Sequence, residues 1–315
     1  KQKRWSHPLL SACNLPVLKK PLRNMLTRPF ETIAAGMARE LGLSTDVRLI
    51  LGGHDFCCSA LGAGVIDSGM AVYDIGASMH MAPAFQAIPL TSLLLRHGLI
   101  MEPHVVPERF LSHIYNRAGG QVLRWFRDRM VPLEKREAKR RGSNVYTTLL
   151  AEMPHEATEM MVLPRVAEGG APHYDSRRFG AALGFNLGAT RGEVVKALLE
   201  GITYPFLEGR ALFEQVGMRL QVCRAMGGGA RSDPWLQLSA DILGVPVERT
   251  AMVDPTPLGA AIVAGVGSEA YADYDEAVGA LVRVVKRFEP DAKHHDIYRE
   301  KLARYRELYP VSRED

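Results

Sequence analysis

The stretch Ile50-Leu51-Gly52-Gly53-His54-Asp55 decides how this sequence is interpreted, because an apolar run ends in two glycines and then delivers a carboxylate to a helix-like segment. The small residues that follow, Ser59-Ala60 and Gly62-Ala63-Gly64, would let that helix pack closely against a neighbour. An aspartate at a helix start is most often a cap, and spacing alone favours that interpretation over a catalytic one. The alternative is that Asp55 acts as a general base.

Three later turns share this design, since each places glycines beside an apolar strand or a helix start. Asp74-Ile75-Gly76-Ala77-Ser78 would turn backbone N–H groups and a hydroxyl toward a phosphate. Ala118-Gly119-Gly120-Gln121 precedes a helix that carries Arg124 in its first turn. Met226-Gly227-Gly228-Gly229-Ala230-Arg231-Ser232-Asp233 opens a strand into a helix, where the helix dipole favours an anion. Each turn alone is explained by ordinary strand connections, but together they favour a phosphate or nucleotide site.

Composition excludes several function classes. The 315 residues are 47% hydrophobic, enough for one large or two modest domains. The net charge is only +4, and the basic run 135–141 contains no aromatic residue, so we expect a solvated face there and no nucleic-acid partner. No apolar run approaches the roughly 18 residues of a membrane span. Four cysteines without metal-ligand spacing indicate a reducing cytoplasm.

Hydrophobic periodicity predicts short strands first and then alternating helices and strands. The predicted strands are 47–51, 70–75, 78–82, 99–102, 110–115, 221–226 and 245–249. The predicted helices are 31–41, 122–130, 146–152, 191–216, 232–243 and 256–266. This order indicates an α/β domain with a mixed sheet.

Taken in order, these segments resemble the C-terminal half of the FGGY family of carbohydrate kinases, which has the actin, hexokinase and Hsp70 (ribonuclease H-like) ATPase fold. The resemblance begins near Leu15-Pro16-Val17, becomes clearer at 39–43, and runs to the last helices. It implies that residues 1–46 are the end of the first, sugar-binding domain. Residues 47–315 would then form the C-terminal nucleotide-binding domain.

The resemblance also implies roles for individual residues. Asp55 would be the catalytic base, and backbone N–H groups around Gly76 and Gly120, together with Mg²⁺, would hold the transferring phosphoryl group. Ala77 stands where threonine is usual, which removes one hydroxyl, although Ser78 offers another. No protein residue is assigned to a metal. The ATP contacts implied by the resemblance are Gly76, Ala77, Ser78, Gly120, Arg124, Gly228, Gly229 and Asp233.

The expected activity is ATP-dependent phosphorylation of a sugar or polyol hydroxyl. The family's Asp-x-Gly-Thr motif is missing from residues 1–46, so we expect a truncated or half-length chain that needs a first domain in cis or in trans. The alternative is a non-catalytic nucleotide-binding or regulatory module, suggested by Ala77 and the absent domain. A dinucleotide-dependent oxidoreductase is a weaker third hypothesis. A homodimer is compatible with the sequence, which does not decide the oligomeric state.

Two further pairs of adjacent residues are conspicuous in the sequence, but we assign no function to them. His294-His295 lie in a polar segment before the last helix, and we expect surface residues there rather than metal ligands. Cys57 and Cys58 closely follow Asp55, and we expect small core residues rather than a thiol catalyst.

Overall fold

A computed structural model describes residues 7–14, 29–86, 92–164 and 180–311. The strands of these ranges are β1 (Pro29–Thr32), β2 (Arg48–Ile50), β3 (Met70–Ile75), β4 (Met79–Phe85), β5 (Ile100–Pro103), β6 (Phe110–Asn116), β7 (Met161–Leu163), β8 (Ala181–Leu183), β9 (Val222–Met226), β10 (Val247–Thr250) and β11 (Val284–Phe288). The helices are α1 (His7–Ala12), α2 (Ala35–Leu41), α3 (Asp55–Gly62), α4 (Ser92–Arg96), α5 (Gly119–Arg129), α6 (Pro132–Arg140), α7 (Val145–Ala151), α8 (Arg191–Gln215), α9 (Asp233–Leu243), α10 (Thr256–Gly267), α11 (Tyr274–Leu281) and α12 (Ala292–Val311). None of these helices is both long enough and apolar enough to cross a membrane.

Seven strands form one mixed sheet in the order β11-β10-β9-β3-β4-β6-β5. β9 is parallel to both β3 and β10, whereas β4 is antiparallel to β3 and β6. The strands β3, β6, β9 and β10 therefore run in one direction, and their carboxyl ends meet at one edge of the sheet. The predicted α/β class with a mixed sheet is confirmed.

Helices cover both faces of this sheet, as the alternation of side chains along β3 requires. Tyr73 and Ile75 pack into a core with residues of α5, α7, α8, α9 and α12. Val72 points to the opposite core, which α3, α10 and α11 complete and which buries Cys57 and Cys58.

The first part of the predicted helix 31–41 is wrong. Residues 29–32 form β1, which pairs antiparallel with β2, and the helix begins only at Ala35. The strand predicted at 47–51 forms, but it pairs with β1 outside the seven-stranded sheet. Backbone pairing between segments distant in sequence overrides the local helical pattern here. A domain boundary between residues 46 and 47 stays a prediction.

Two glycines let α3 and α10 cross at backbone contact. A side chain on Gly62 would overlap the carbonyl oxygen of Pro255, and one on Gly259 would overlap that of Cys58. A hydrogen bond of 2.6 Å between the hydroxyls of Ser59 and Thr256 joins the same two helices. The crossing fixes the start of α3 beside the turn that follows β10.

We predict that Gly259→Ala lowers the free energy of unfolding by about 1–3 kcal/mol, because the added methyl group forces two backbones apart. Urea denaturation measures this change. The matched control is Gly279→Ala in α11, where nothing lies within 4 Å of the added methyl group, so alanine should stabilise the helix by about 0.5–1 kcal/mol. Equal effects of the two substitutions would contradict the tight crossing.

Candidate functional site

The carboxyl ends of β3, β6, β9 and β10 border two adjoining clefts. The larger has a volume of about 830 Å³ and the smaller about 450 Å³. Gly228 and Arg231 line both clefts and so mark where they meet. Ligands of α/β proteins usually bind outside the carboxyl ends of the strands, which is where these two clefts lie. Most of the sequence-predicted contacts line the larger cleft, namely Gly76, Ala77, Gly120, Arg124, Gly228, Gly229 and Asp233.

Helices α7 and α9 contribute the two walls of the larger cleft. Asn144 caps α7 by accepting a hydrogen bond from Tyr146 N, and both side chains line the cleft. On the other side, Ser232 caps α9 by accepting from Trp235 N, and the N-terminal residues of α9, at its positive dipole end, line the cleft. A half-apolar slot that ends at a helix N-terminus suits a flat base attached to an anionic group.

Gly120 lines the larger cleft, but its backbone N–H is already bonded within the fold. Its N–H donates to Gly76 O at 3.0 Å, and the N–H of Gln121 donates to Ala77 O at the same distance. A Cβ at position 120 would lie 2.6 Å from Gly76 O. The Gly120 amide therefore joins the start of α5 to the turn after β3, and a role for backbone N–H groups around Gly76 and Gly120 in holding the phosphoryl group stays a prediction.

Ser78 also departs from expectation, because it lines neither of the two clefts. Its hydroxyl lies 3.3 Å from His80 Nε2. The exposed Ala77 is the residue of this turn that faces the larger cleft together with Gly76. The hydroxyl missing at position 77 is therefore not replaced in this structure.

Asp233 reaches the larger cleft but is already paired with two cations. Its carboxylate lies 2.7 Å from Arg249 Nη1 and accepts a second bond from Lys286 Nζ. The hydrogen bond from Lys286 is the main cause of a lowered pKa for Asp233, against the smaller effect of burial. Arg231 and Arg249, which the sequence analysis did not select, add positive charge to the same cleft.

The smaller cleft collects three carboxylates: Asp55, Asp74 and Asp254. Burial and, to a smaller extent, the neighbouring Asp254 carboxylate together raise the pKa of Asp74 to about 6. Of these three carboxylates, only Asp55 is a site residue predicted from the sequence. Asp74 near the end of β3 and Asp254 just after β10 become recognisable once both strands are known to end at the same edge.

Asp55 is the first residue of α3 and lines the smaller cleft. Its side chain is 82% exposed to solvent. Its Oδ1 accepts a hydrogen bond of 2.7 Å from Phe56 N and lies 3.1 Å from His54 Nε2. Its Oδ2 has no hydrogen-bond partner among the described residues. The cap position belongs to His54, whose side chain makes no capping bond.

His54 lies between two carboxylates. Its Nδ1 is 3.1 Å from Glu102 Oε2, and the other Glu102 oxygen lies 2.6 Å from His113 Nε2. Burial would raise the pKa of Glu102, but the hydrogen bond and charge of His113 outweigh it and lower the pKa to about 2. An ionised Glu102 therefore anchors the His54 ring that contacts Asp55. Sequence spacing cannot reveal this, because Glu102 and His113 come from β5 and β6.

Comparison with known proteins identifies the family. Residues 90–268 match the model of the FGGY family of carbohydrate kinases, C-terminal domain. The chain belongs to the FGGY family. It is 29% identical over 283 residues to a xylulose kinase from Staphylococcus epidermidis, a match that covers 90% of this chain and 55% of that protein. It is also 29% identical over 292 residues to a glycerol kinase from Koribacter versatilis, covering 91% of this chain and 55% of that protein.

A solved FGGY structure shares the fold. The ligand-bound xylulose kinase from Lactobacillus acidophilus superimposes with a TM-score of 0.85 at 21% identity, covering 99% of this chain and 61% of that chain. The predicted actin and hexokinase-like fold is confirmed. The chain spans a little over half the length of the relatives it matches.

We predict that Asp74→Asn stabilises the fold at pH 7 by about 2–3 kcal/mol, because the folded state disfavours the ionised carboxylate. The raised pKa of Asp74 means that the folded state binds the proton more tightly than the unfolded state. The stability of Asp74→Asn relative to the wild type should therefore increase as the pH rises from about 4 through 6. Urea denaturation in EDTA across this range measures the difference.

The matched control is Asp67→Asn, which changes an exposed aspartate before the start of β3. This variant should follow the wild-type pH profile. Parallel profiles for Asp74→Asn and the wild type would contradict a desolvated carboxylate in the smaller cleft.

Proposed function

We propose that this chain is the nucleotide-binding half of a kinase that transfers phosphoryl from ATP to a hydroxyl of a sugar or polyol. One observation carries the proposal: the larger cleft, of about 830 Å³, meets at Gly228 the second cleft, which holds Asp55. A nucleotide laid through this junction would direct its terminal phosphate toward a free carboxylate oxygen. Membership of a carbohydrate kinase family and relatives named for xylulose and glycerol support the same chemistry.

The residues present fit ATP. The larger cleft would take adenosine between Tyr146 on α7 and the start of α9. Gly228 has nothing within 4 Å of where its side chain would lie, which leaves room for phosphates at the junction. Arg231 lines both clefts, and its positive charge would partly neutralise the negative charge of the phosphates.

The residues present also fit Mg²⁺, which prefers carboxylate oxygens and phosphate. Asp74 and Asp254 form a partly desolvated pair of like charges, since burial and then repulsion by Asp254 raise the pKa of Asp74. A bound divalent cation would relieve this repulsion, and we propose these two side chains to hold the ion. When bound, Mg²⁺ would neutralise charge on the transferring phosphoryl group.

Asp55 would act as the general base through Oδ2. The substrate hydroxyl oxygen forms a bond to the γ-phosphorus while the bond from that phosphorus to the ADP oxygen breaks, and the hydroxyl proton moves to Asp55 Oδ2. His54 and the Phe56 N–H hold Oδ1, which orients the second oxygen toward the incoming hydroxyl. Positioning of this kind supplies much of the rate in phosphoryl transfer.

The sugar-binding residues would come from a first domain, supplied in cis or in trans. The chain covers 55% of its relatives' length, and residues 1–46 contain no Asp-x-Gly-Thr motif. We propose that residues 1–46 close that first domain and that 47–315 form the nucleotide-binding domain. We also propose a cytoplasmic location, where the four free thiols would stay reduced.

The second candidate is a nucleotide-binding module that does not transfer phosphoryl. It is favoured by one specific feature, the turn after β3. Ala77 offers no hydroxyl to the larger cleft, and the Ser78 hydroxyl lies against His80 instead. A missing hydrogen bond to the phosphate would weaken transfer more than nucleotide binding if it forms mainly in the transition state.

We predict that Asp55→Asn lowers the turnover number of the full-length natural protein by about 100- to 10,000-fold, because the hydroxyl loses its proton acceptor. Adenosine affinity should stay unchanged, since Asp55 does not line the larger cleft in which adenosine would bind. ATP consumption against a panel of sugars and polyols measures turnover, and calorimetry measures adenosine binding. Asp67→Asn is the matched control and should behave as wild type.

Three outcomes separate the hypotheses. If Asp55→Asn and the wild type have the same turnover number, Asp55 is not the general base. ATP binding without turnover on any substrate would favour the non-catalytic module. Tight NADH binding without ATP binding would revive the oxidoreductase hypothesis.

A further inference from the structure

A second cluster of chemistry-bearing side chains lies away from both clefts, where the connection between α7 and β7 meets α12. His155 and Glu156 belong to the connection, and their side chains are exposed. His294 comes from the first turns of α12, with only 9% of its side chain exposed. The expectation that His294 is a surface residue before the last helix is wrong, because α12 begins at Ala292 and packs this imidazole beneath the connection.

The spacing of the ligand atoms matches a metal centre. Two ligands about 2.1 Å from a tetrahedral ion lie about 3.4 Å apart. Glu156 Oε1 lies 3.4 Å from His155 Nδ1, and Glu156 Oε2 lies 3.3 Å from His294 Nε2. One nitrogen or oxygen from each of the three residues falls within 4.8 Å of the others. The rings of His155 and His294 are tilted by 55°, so their nitrogens can converge without the rings stacking.

Buried groups hold this arrangement in place. Lys196 Nζ donates to three successive carbonyl oxygens of the connection, those of Pro154, His155 and Glu156, at 2.8, 2.7 and 2.7 Å. The backbone that carries two of the ligands is therefore fixed from below by an ammonium group. Preorganised ligands lose little conformational entropy on binding.

A carboxylate lies near the second ring nitrogen of His294, as is usual for histidines that bind a metal. Asp241 Oδ2 lies 3.6 Å from His294 Nδ1, on the side of the ring away from Glu156. The other oxygen, Asp241 Oδ1, accepts bonds from Gln237 Nε2 and Asp291 N at 2.8 and 2.9 Å, so the carboxylate cannot turn away. A proton on His294 Nδ1 would face Asp241 and leave Nε2 free to bind an ion.

We propose that His155, Glu156 and His294 bind a divalent transition-metal ion, with Zn²⁺ as the best match to two imidazoles and one carboxylate. Three protein ligands leave the fourth tetrahedral position to water. Mg²⁺ and Ca²⁺, which prefer sets of oxygen ligands, do not match this set. The site is therefore separate from the Mg²⁺ that phosphoryl transfer uses.

The local charge favours a cation. The ionisable groups that interact with Lys196 are three carboxylates, Glu156, Glu200 and Asp241, and one further ammonium group, Lys301. Three negative charges against two positive charges leave a net charge of −1 before any ion binds.

The other His and acidic cluster of the described residues is a weaker candidate. His54, Cys57 and Glu102 also bring ligand atoms within 4.8 Å of one another. However, Glu102 is already bound to His113 at 2.6 Å. Burial raises the pKa of Cys57 far above its usual range, so the thiolate that binds zinc is disfavoured.

An ion at the proposed site would link the two walls of the larger cleft. Ala151, at the end of α7, lines that cleft four residues before His155. Asp241, behind His294, belongs to α9, whose first residues form the opposite wall. Bound Zn²⁺ would therefore tie α7 to α9 and α12 and raise the melting temperature of the chain.

The test is a calorimetric titration of this chain with Zn²⁺, using a Cys13→Ser background because Cys13 is an exposed thiol. With Mg²⁺ in excess to occupy the carboxylates of the smaller cleft, we expect one equivalent to bind. His155→Ala and Glu156→Gln should each weaken binding at least about tenfold, and Asp241→Asn roughly 10- to 100-fold. His155 and Glu156 are exposed, so these variants should melt at the wild-type temperature without metal, and only their Zn²⁺-dependent increase should be lost.

Matched controls isolate the site. Glu159→Gln changes another exposed glutamate of the same connection, and His97→Ala another histidine. His54→Ala removes a ligand from the competing cluster. All three should bind Zn²⁺ as the wild type does. The proposal is overturned if the chain binds no Zn²⁺, if His155→Ala and Glu156→Gln bind it unchanged, or if His54→Ala is the variant that loses it.

Discussion

The backbone contact between α3 and α10 is the constraint on which the rest of the site depends. Gly62 and Gly259 allow each helix to touch the carbonyl oxygens of the other, and the Ser59 and Thr256 hydroxyls close the contact. Asp55 begins one of these helices, and Asp254 precedes the other by two residues. Their approach to Asp74 at the sheet edge therefore follows from glycine packing, and larger residues at the crossing would separate the carboxylates.

This packing gathers negative charge at a cost in stability that a ligand can offset. The raised pKa of Asp74 shows that the folded chain resists its ionisation, whereas Glu102 is stabilised as an anion by His113. The two carboxylates thus have different environments, although Asp74 shares the smaller cleft with Asp55 and Glu102 contacts the adjacent His54. An ionised Glu102 contacts His54, which in turn contacts Asp55, the proposed base. The pair of like charges at Asp74 and Asp254 suits a divalent cation. Arrangements of this kind in functional sites commonly lower the stability of the fold.

Hydrophobic periodicity predicted the mixed sheet, because it depends on local strand and helix signals. The resemblance of the ordered glycine turns to a known family predicted the family and seven of the nineteen residues that line the larger cleft. Pairs brought together by the sheet were not predictable in the same way. Asp74 and Asp254, or His54 and Glu102, are distant in sequence and become neighbours only through strand order. The strand at 29–32 and the burial of His294 were missed for the same reason, since tertiary contacts override a local polar or helical pattern there.

The central claim is that a nucleotide crosses from the larger cleft into the smaller one at Gly228. Calorimetry of the chain and of Gly228→Val, with ATP and with adenosine, tests it most directly. Nothing lies within 4 Å of a Cβ at this position, so the variant should fold normally. The account predicts that ATP affinity falls at least about tenfold while adenosine affinity is kept, a difference of about 1.4 kcal/mol or more. Equal ATP affinity in both proteins would contradict it.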